Sequence, residues 1–166
     1  MKIIIDAYGG DNSPVEIVKG ALAALKEKEN FDIVLVGKEG GIKSVLAEEE
    51  YDTLRVSVVD ADEVIGCDET PTEAIRKKPD SSVVKCVKLL KEDENASAFV
   101  SAGSTGAVLT AAVLLSPRIK GVNRPALAPL LPNMKDGETL FLDCGANADC
   151  KPINLQQFAV MGSVYM

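Results

Sequence analysis

Short apolar runs alternate with stretches of helical period along this chain. Residues 2–6, 32–36, 54–59, 98–101, 126–131 and 139–143 are β-branched and aliphatic runs, and each reads as a strand. Most are apolar without interruption, as strands are when helices cover both faces of a parallel sheet. The helical signals between them predict a βαβ succession. Ser13-Pro14-Val15-Glu16 places Pro at a first helical position and Glu three residues after Ser, which predicts a capping box and a helix over 14–29. Thr70-Pro71-Thr72-Glu73 repeats the arrangement and opens a shorter helix. Asp80 or Ser81 opens another, with Val83, Val84, Val87 and Leu90 on one face. Residues 104–115 are small and apolar almost all round, so that helix is expected to be buried, and Pro117 stops it. A last apolar helix, 155–166, ends without a cap or charged turn, and Met161, Val164, Tyr165 and Met166 need something to pack against. The pattern predicts an α/β fold: a mostly parallel, doubly wound sheet with helices on both faces. The expected organisation is a single α/β domain over 1–166, forming the N-terminal part of a longer enzyme.

Composition narrows the function. Eighteen Lys and Arg against 25 Asp and Glu give a net charge of −7, which argues against nucleic acid as the main partner. There is no histidine, so Ser-His-Asp and Cys-His triads and His-ligated metals are excluded within the chain. The four cysteines, Cys67, Cys86, Cys144 and Cys150, form no CxxC pair, and neither a zinc knuckle nor a redox motif is signalled. The apolar start at residues 1–5 is too short to span a bilayer and is cut off by Asp6. The expected compartment is the reducing cytosol.

In open α/β sheets ligands bind beyond the carboxyl ends of the strands, so the residues after each strand carry the chemistry. Asp6-Ala7-Tyr8-Gly9-Gly10-Asp11-Asn12 combines two glycines, which let backbone approach a ligand, with Asp6 and Asp11 as rim carboxylates. Ser101-Ala102-Gly103-Ser104-Thr105-Gly106 opens onto a helix and reads as an anion site, because unpaired N–H groups and the positive dipole end point at the ligand. It is neither a P-loop nor a dinucleotide fingerprint. Each segment also reads as an ordinary capped turn. Asp143-Cys144-Gly145-Ala146-Asn147-Ala148-Asp149-Cys150-Lys151-Pro152 is more polar than a connector needs. There Lys151 can reach an anion and Asn147 can donate to an oxyanion. Cys144 and Cys150 lack a histidine to activate them and are expected to be buried and structural. Asp68-Glu69 offers acid–base groups or a helix-start charge pair. The basic residues at 76–78 and Lys85, Lys88 and Lys91 read as a solvated face that could dock an acidic partner.

Together these segments resemble the PlsX-type phosphate acyltransferases of bacterial phospholipid synthesis. The resemblance rests on Ile5-Asp6-Ala7, Gly9-Gly10-Asp11-Asn12 with Pro14, Asp68-Glu69 with Pro71, and Asp80-Ser81-Ser82. It continues through Val100-Ser101-Ala102-Gly103 with Thr105-Gly106-Ala107, and Arg124-Pro125-Ala126-Leu127. It closes on Leu142-Asp143, Gly145-Ala146-Asn147, Asp149-Cys150-Lys151-Pro152, and Leu155 with Gln157-Phe158-Ala159, Met161 and Gly162. Tyr8 stands where the family has Met, and Ser104 where it has Asn. Only the family's N-terminal part is covered.

The resemblance implies a fold like that of the isocitrate and isopropylmalate dehydrogenases and phosphotransacetylase. It implies conversion of acyl-carrier-protein thioester and inorganic phosphate to acyl phosphate and free carrier protein, with no cofactor and no metal. It also implies a cytoplasmic homodimer, peripheral at the membrane, whose product feeds a glycerol-phosphate acyltransferase. Read onto this chain, Gly103, Ser104, Thr105 and Gly106 cradle phosphate, Lys151 is the charge partner and Asn147 the oxyanion donor. Asp6, Gly9, Gly10, Asp143 and Asp149 complete the binding residues, the three aspartates more as positioners of Lys151 and the loops. The rival readings are a nicotinamide-dependent dehydrogenase or phosphotransacetylase on the same fold, and a non-catalytic anion-binding module.

Overall fold

The computed structural model describes residues 1–117 and 119–166. Packing divides the chain into two compact units, Met1–Ser116 and Pro117–Met166.

The first unit carries the doubly wound architecture. Strands β1 (Lys2–Asp6), β2 (Asp32–Gly37), β3 (Val56–Asp60) and β4 (Ala96–Val100) form one sheet in the order β3-β2-β1-β4, every pair parallel. Helices α1 (Val15–Glu27) and α2 (Glu39–Leu46) connect the first three strands, and α3 (Pro71–Lys77) and α4 (Ser82–Glu92) precede β4. Alternation along the strands feeds two cores. Ile33 and Leu35 pack with Val18, Leu22, Leu25, Ile42 and Leu46 of α1 and α2. Ile4, Val34 and Val36 pack with Cys86 of α4 on the opposite face. Helix α5 (Thr105–Leu115) follows β4, and its Ala107 and Ala111 join Ala74, Ile75, Val83, Val84 and Val87 of α3 and α4. Because α1 leads from β1 to β2 while β4 is laid on β1's other edge, the winding reverses between β1 and β4. That reversal opens the crevice in which doubly wound folds bind ligands.

Several sequence-based expectations are corrected here. Neither capping box forms: Ser13 Oγ instead donates to Tyr8 O at 3.3 Å, α1 starts after Pro14, and Thr70 makes no side-chain cap. Helix α2 was not foreseen, because Gly40 and Gly41 depress helix propensity in its first turn. It is held from outside, Glu39 N–H donating to Asp60 Oδ1 at 2.8 Å. Strand β3 starts at Val56 rather than 54, leaving Leu54 in solvent. Helix α5 is not buried all round: only Ala107 and Ala111 are, and Leu114 is half exposed.

The second unit departs further from expectation. The runs at 126–131 and 139–143 do not extend a parallel sheet but yield β5 (Leu130–Pro132) and β6 (Glu138–Leu140), a two-stranded antiparallel ribbon. Five residues separate them, enough for a hairpin but far too few for the crossover that parallel pairing needs. Asn133 Oδ1 accepts from Lys135 N–H and Gly137 N–H and closes the turn. Helix α6 (Pro152–Tyr165) starts three residues earlier than its apolar pattern shows, because Asn154 Oδ1 accepts from Lys151 N–H at 2.9 Å and fixes its first turn. Gln157 ties α6 to the 121–123 segment, donating to Gly121 O and accepting from Asn123 N–H. Among the described residues, no helix is long and apolar enough to cross a membrane.

The cysteines also differ from the buried pair expected: Cys144 is exposed, Cys150 half-buried, Cys67 exposed, and only Cys86 is buried. All four are free thiols. Burial, reinforced by the nearby Asp6 carboxylate, pushes the Cys86 thiol well above its ordinary range. Thiol labelling of the folded protein near pH 8 is therefore expected to modify Cys67 and Cys144 first, and Cys86 only after denaturation. Mass mapping of the labelled peptides checks this, and early labelling of Cys86 would contradict the packing of α4.

Candidate active site at the strand ends

The β1–α1 and β4–α5 loops leave the carboxyl ends of adjacent strands and meet backbone to backbone. A Cβ on Gly9 would lie 2.6 Å from Ser101 Oγ, 2.7 Å from Asp6 Oδ2 and 2.9 Å from Gly103 N. One on Gly103 would lie 3.1 Å from Gly9 Cα. A Cβ at Gly9 could not be placed without moving the loops, and one at Gly103 would be tight against Gly9. Gly10, at φ +100°, turns the chain away immediately afterwards.

Asp6 is not a rim carboxylate. It is 1% exposed, and both its oxygens are engaged: Oδ1 accepts from Tyr8 N–H at 3.2 Å and Oδ2 from the Ser101 hydroxyl at 2.8 Å. Ser101 Oγ in turn accepts from Gly103 N–H at 3.1 Å. The relay Asp6–Ser101–Gly103 thus spans the two loops. Asp11, by contrast, is exposed. Ser101, which the sequence places in the turn without a role of its own, is its central link. Its position directly after an apolar strand and two residues before a glycine was the available signal.

Ser104 caps α5, its Oγ accepting from Ala107 N–H at 3.3 Å. The Thr105 and Gly106 N–H groups, in the helix's first turn, have no intrahelical acceptor. Thr105 is exposed, and Pro71 of α3 backs Gly106 closely, 2.9 Å from where a Cβ would stand. The first turn of this 11-residue helix is therefore a fixed donor array at the positive end of its dipole. Nearby in sequence, Glu69 neither caps α3 nor stands ready as an acid. It pairs with Lys78 at 2.6 Å and accepts from Gly66 N–H. These hydrogen bonds, Lys78 first, hold its carboxyl below the usual range.

In the second unit Asp143 organises the polar loop. Oδ1 accepts from Leu127 N–H and Ala146 N–H, and Oδ2 from the backbone and side-chain N–H groups of Asn147, both at 2.8 Å. Asn147 Nδ2 also donates to Pro125 O at 2.9 Å. Both amide hydrogens of Asn147 are thus committed to Asp143 and Pro125, which corrects its expected role as oxyanion donor. Asp143 braces Asn147 rather than Lys151. Asp149 is exposed, its carbonyl accepting from Arg124 Nη1 at 3.0 Å. Lys151 caps α6 with an exposed side chain and joins no ion pair among the described residues. A cation at a helix N-terminus works against the macrodipole unless an anion is present. Asp6, Gly9, Gly10, Gly103, Ser104, Thr105 and Gly106 therefore belong to the first unit, and Asp143, Asn147, Asp149 and Lys151 to the second.

Fold and donor array define a doubly wound α/β protein with an open backbone-donor array at the helix start where the winding reverses. The fatty acid synthesis protein family model matches residues 1–166, and the chain belongs to that family. It is 54% identical over 166 residues to the phosphate acyltransferase of Fusobacterium nucleatum, covering 100% of this chain and 50% of that protein. It is 50% identical to the phosphate acyltransferases of Clostridium novyi and Dictyoglomus thermophilum, over 99% and 100% of this chain and 49% of each relative. The chain spans about half the length of the curated relatives it matches.

The Asp143 brace has a pH signature. Burial pushes its carboxyl up, but the hydrogen bonds from Asn147, Leu127 and Ala146 together outweigh it and hold the carboxyl below the usual range. A carboxyl depressed on folding stabilises the protein above its unfolded pKa, about 3.9, and that stabilisation is lost as pH falls through the folded value. The Asn147 and Ala146 amide resonances are expected to stay unchanged down to about pH 4 and to shift only below it. Asp143→Ala is expected to lower stability by about 1–3 kcal/mol, the scale of a lost charged hydrogen-bond acceptor, read by thermal denaturation.

Proposed function

We propose that this protein transfers an acyl group from the thioester of acyl-carrier protein to inorganic phosphate, yielding acyl phosphate and free carrier protein. The observation that carries the reading is the rigid donor array of the α5 first turn, at the winding reversal of a chain about half identical to phosphate acyltransferases. A phosphate oxygen attacks the thioester carbonyl carbon, a C–O bond forms, and the tetrahedral intermediate expels the carrier thiolate, which takes a proton from solvent. Phosphate is itself the nucleophile and a thiolate leaves readily, so the chemistry asks the protein for positioning and charge rather than for a triad, metal or cofactor.

Thr105 and Gly106 N–H groups and the Ser104 and Thr105 hydroxyls hold the phosphate in this reading. Lys151 supplies a cation, supported by its exposed ammonium at the start of α6, which joins no ion pair among the described residues. Gly9, Gly10 and Gly103 let the backbone close on the ligand, while Asp143, Asn147 and Asp149 shape the loop that ends in Lys151. The same reading makes the protein a cytoplasmic homodimer, peripheral at the membrane, with its product passing to a glycerol-phosphate acyltransferase there.

Intact protein mixed with acyl-carrier-protein thioester and phosphate is expected to release free carrier protein and acyl phosphate in stoichiometric amounts. Undiminished turnover without phosphate would make the reaction a hydrolysis and end the proposal. Lys151→Ala is expected to lower kcat/KM for phosphate by about 2–4 kcal/mol, the scale of one electrostatic stabiliser. Thr105→Ala should cost about 1 kcal/mol, one hydrogen bond. Steady-state kinetics at varied phosphate distinguishes the two.

A further inference from the structure

Asp6 is a buried carboxylate that pairs with no cation: it is 1% exposed and belongs to none of the ion pairs among the described residues. Burying an ionised carboxylate is costly, and its two hydrogen-bond donors are the Tyr8 N–H and the Ser101 hydroxyl. The second of these reaches across the reversal point of the sheet. A hydroxyl that donates to a carboxylate becomes a better acceptor, and Ser101 spends that acceptor on Gly103 N–H. The bond folds residues 101–103 into a tight turn, with α5 starting immediately after it at Thr105. It also occupies the Gly103 N–H, which separates the donors that hold the turn from those of Thr105 and Gly106 that remain open.

We infer that Asp6 and Ser101 are positioning residues: the charge of Asp6, acting through the Ser101 hydroxyl, fixes the α5 first turn at the height where its N–H groups meet the phosphate. Neither touches the ligand. This rests on the phosphate-acyltransferase reading and adds to it the device that presets the anion site. Preset donors bind without first being ordered, so loss of the relay weakens phosphate and leaves binding of the acyl thioester alone.

The test is steady-state kinetics of the intact protein with phosphate and the acyl-carrier thioester varied separately. Ser101→Ala is expected to raise the phosphate KM about tenfold, the equivalent of one hydrogen bond to a charged group. The thioester KM should stay within twofold, and Ser101→Thr, which keeps the hydroxyl, should restore most of the loss. Asp6→Asn keeps an acceptor but removes the charge. It should fall between wild type and Ser101→Ala, and the double variant should be no worse than Ser101→Ala, because the two act in series. Thermal denaturation reports folding for every variant. If Asp6→Asn fails to fold, the Ser101 pair carries the test.

Equal effects on both KM values, additive losses, or an unchanged phosphate KM in folded Ser101→Ala would overturn the inference while leaving the acyltransferase reading intact. Wild-type turnover that does not saturate with phosphate would remove both.

Discussion

The geometry of the candidate site depends on one close approach, the contact of Gly9 with Gly103 over the buried Asp6 carboxylate. Two loops that are 94 residues apart in the chain are brought within van der Waals distance because β1 and β4 are hydrogen-bonded neighbours. A side chain at either glycine would push them apart. The Ser101 hydroxyl then converts proximity into a fixed geometry, since it is both donor to Asp6 and acceptor from Gly103. The fold's reversal of winding, the two glycines and the buried charge therefore serve one end, an α5 helix start held rigidly at the crevice.

The two units treat their polar groups differently. In the first, the site's carboxylate is buried and the open hydrogen-bond donors are backbone groups of a helix first turn. In the second, Asp143 spends both oxygens on backbone and amide N–H groups of Leu127, Ala146 and Asn147, and Lys151 is exposed. Helix α6, apolar on every side and bearing exposed Leu155, Val160, Val164 and Tyr165, has the composition of a core helix.

Strands β1 to β4, the helices of the first unit other than α2, and the parallel class of the sheet were legible in the sequence, β3 and β4 with starts shifted by two residues. Continuous aliphatic runs and helical periods are local signals, and local sterics and burial decide them. The turn and helix start at residues 101–106 were legible for the same reason, because a glycine-rich turn before a helix has only a few conformations. Helix α2 was not, since two glycines hide it and the carboxylate of Asp60, at the end of the following strand, holds its start.

What tertiary structure decided is where each polar group spends its hydrogen bonds. Asp6 and Asp11 look equivalent in sequence, yet one is buried as a brace and the other lies in solvent, because only Asp6 ends a central strand. Asn147 has the chemistry of an oxyanion donor, but Asp143 and Pro125 use both of its amide hydrogens. Ser101 closes a strand run and opens a glycine-rich turn in the sequence, and only the pairing of β4 with β1 sets it against Asp6. Residue type and spacing fix which groups are available. Only the folded chain determines which donors and acceptors find each other first, because those partners come from segments that the sequence keeps far apart.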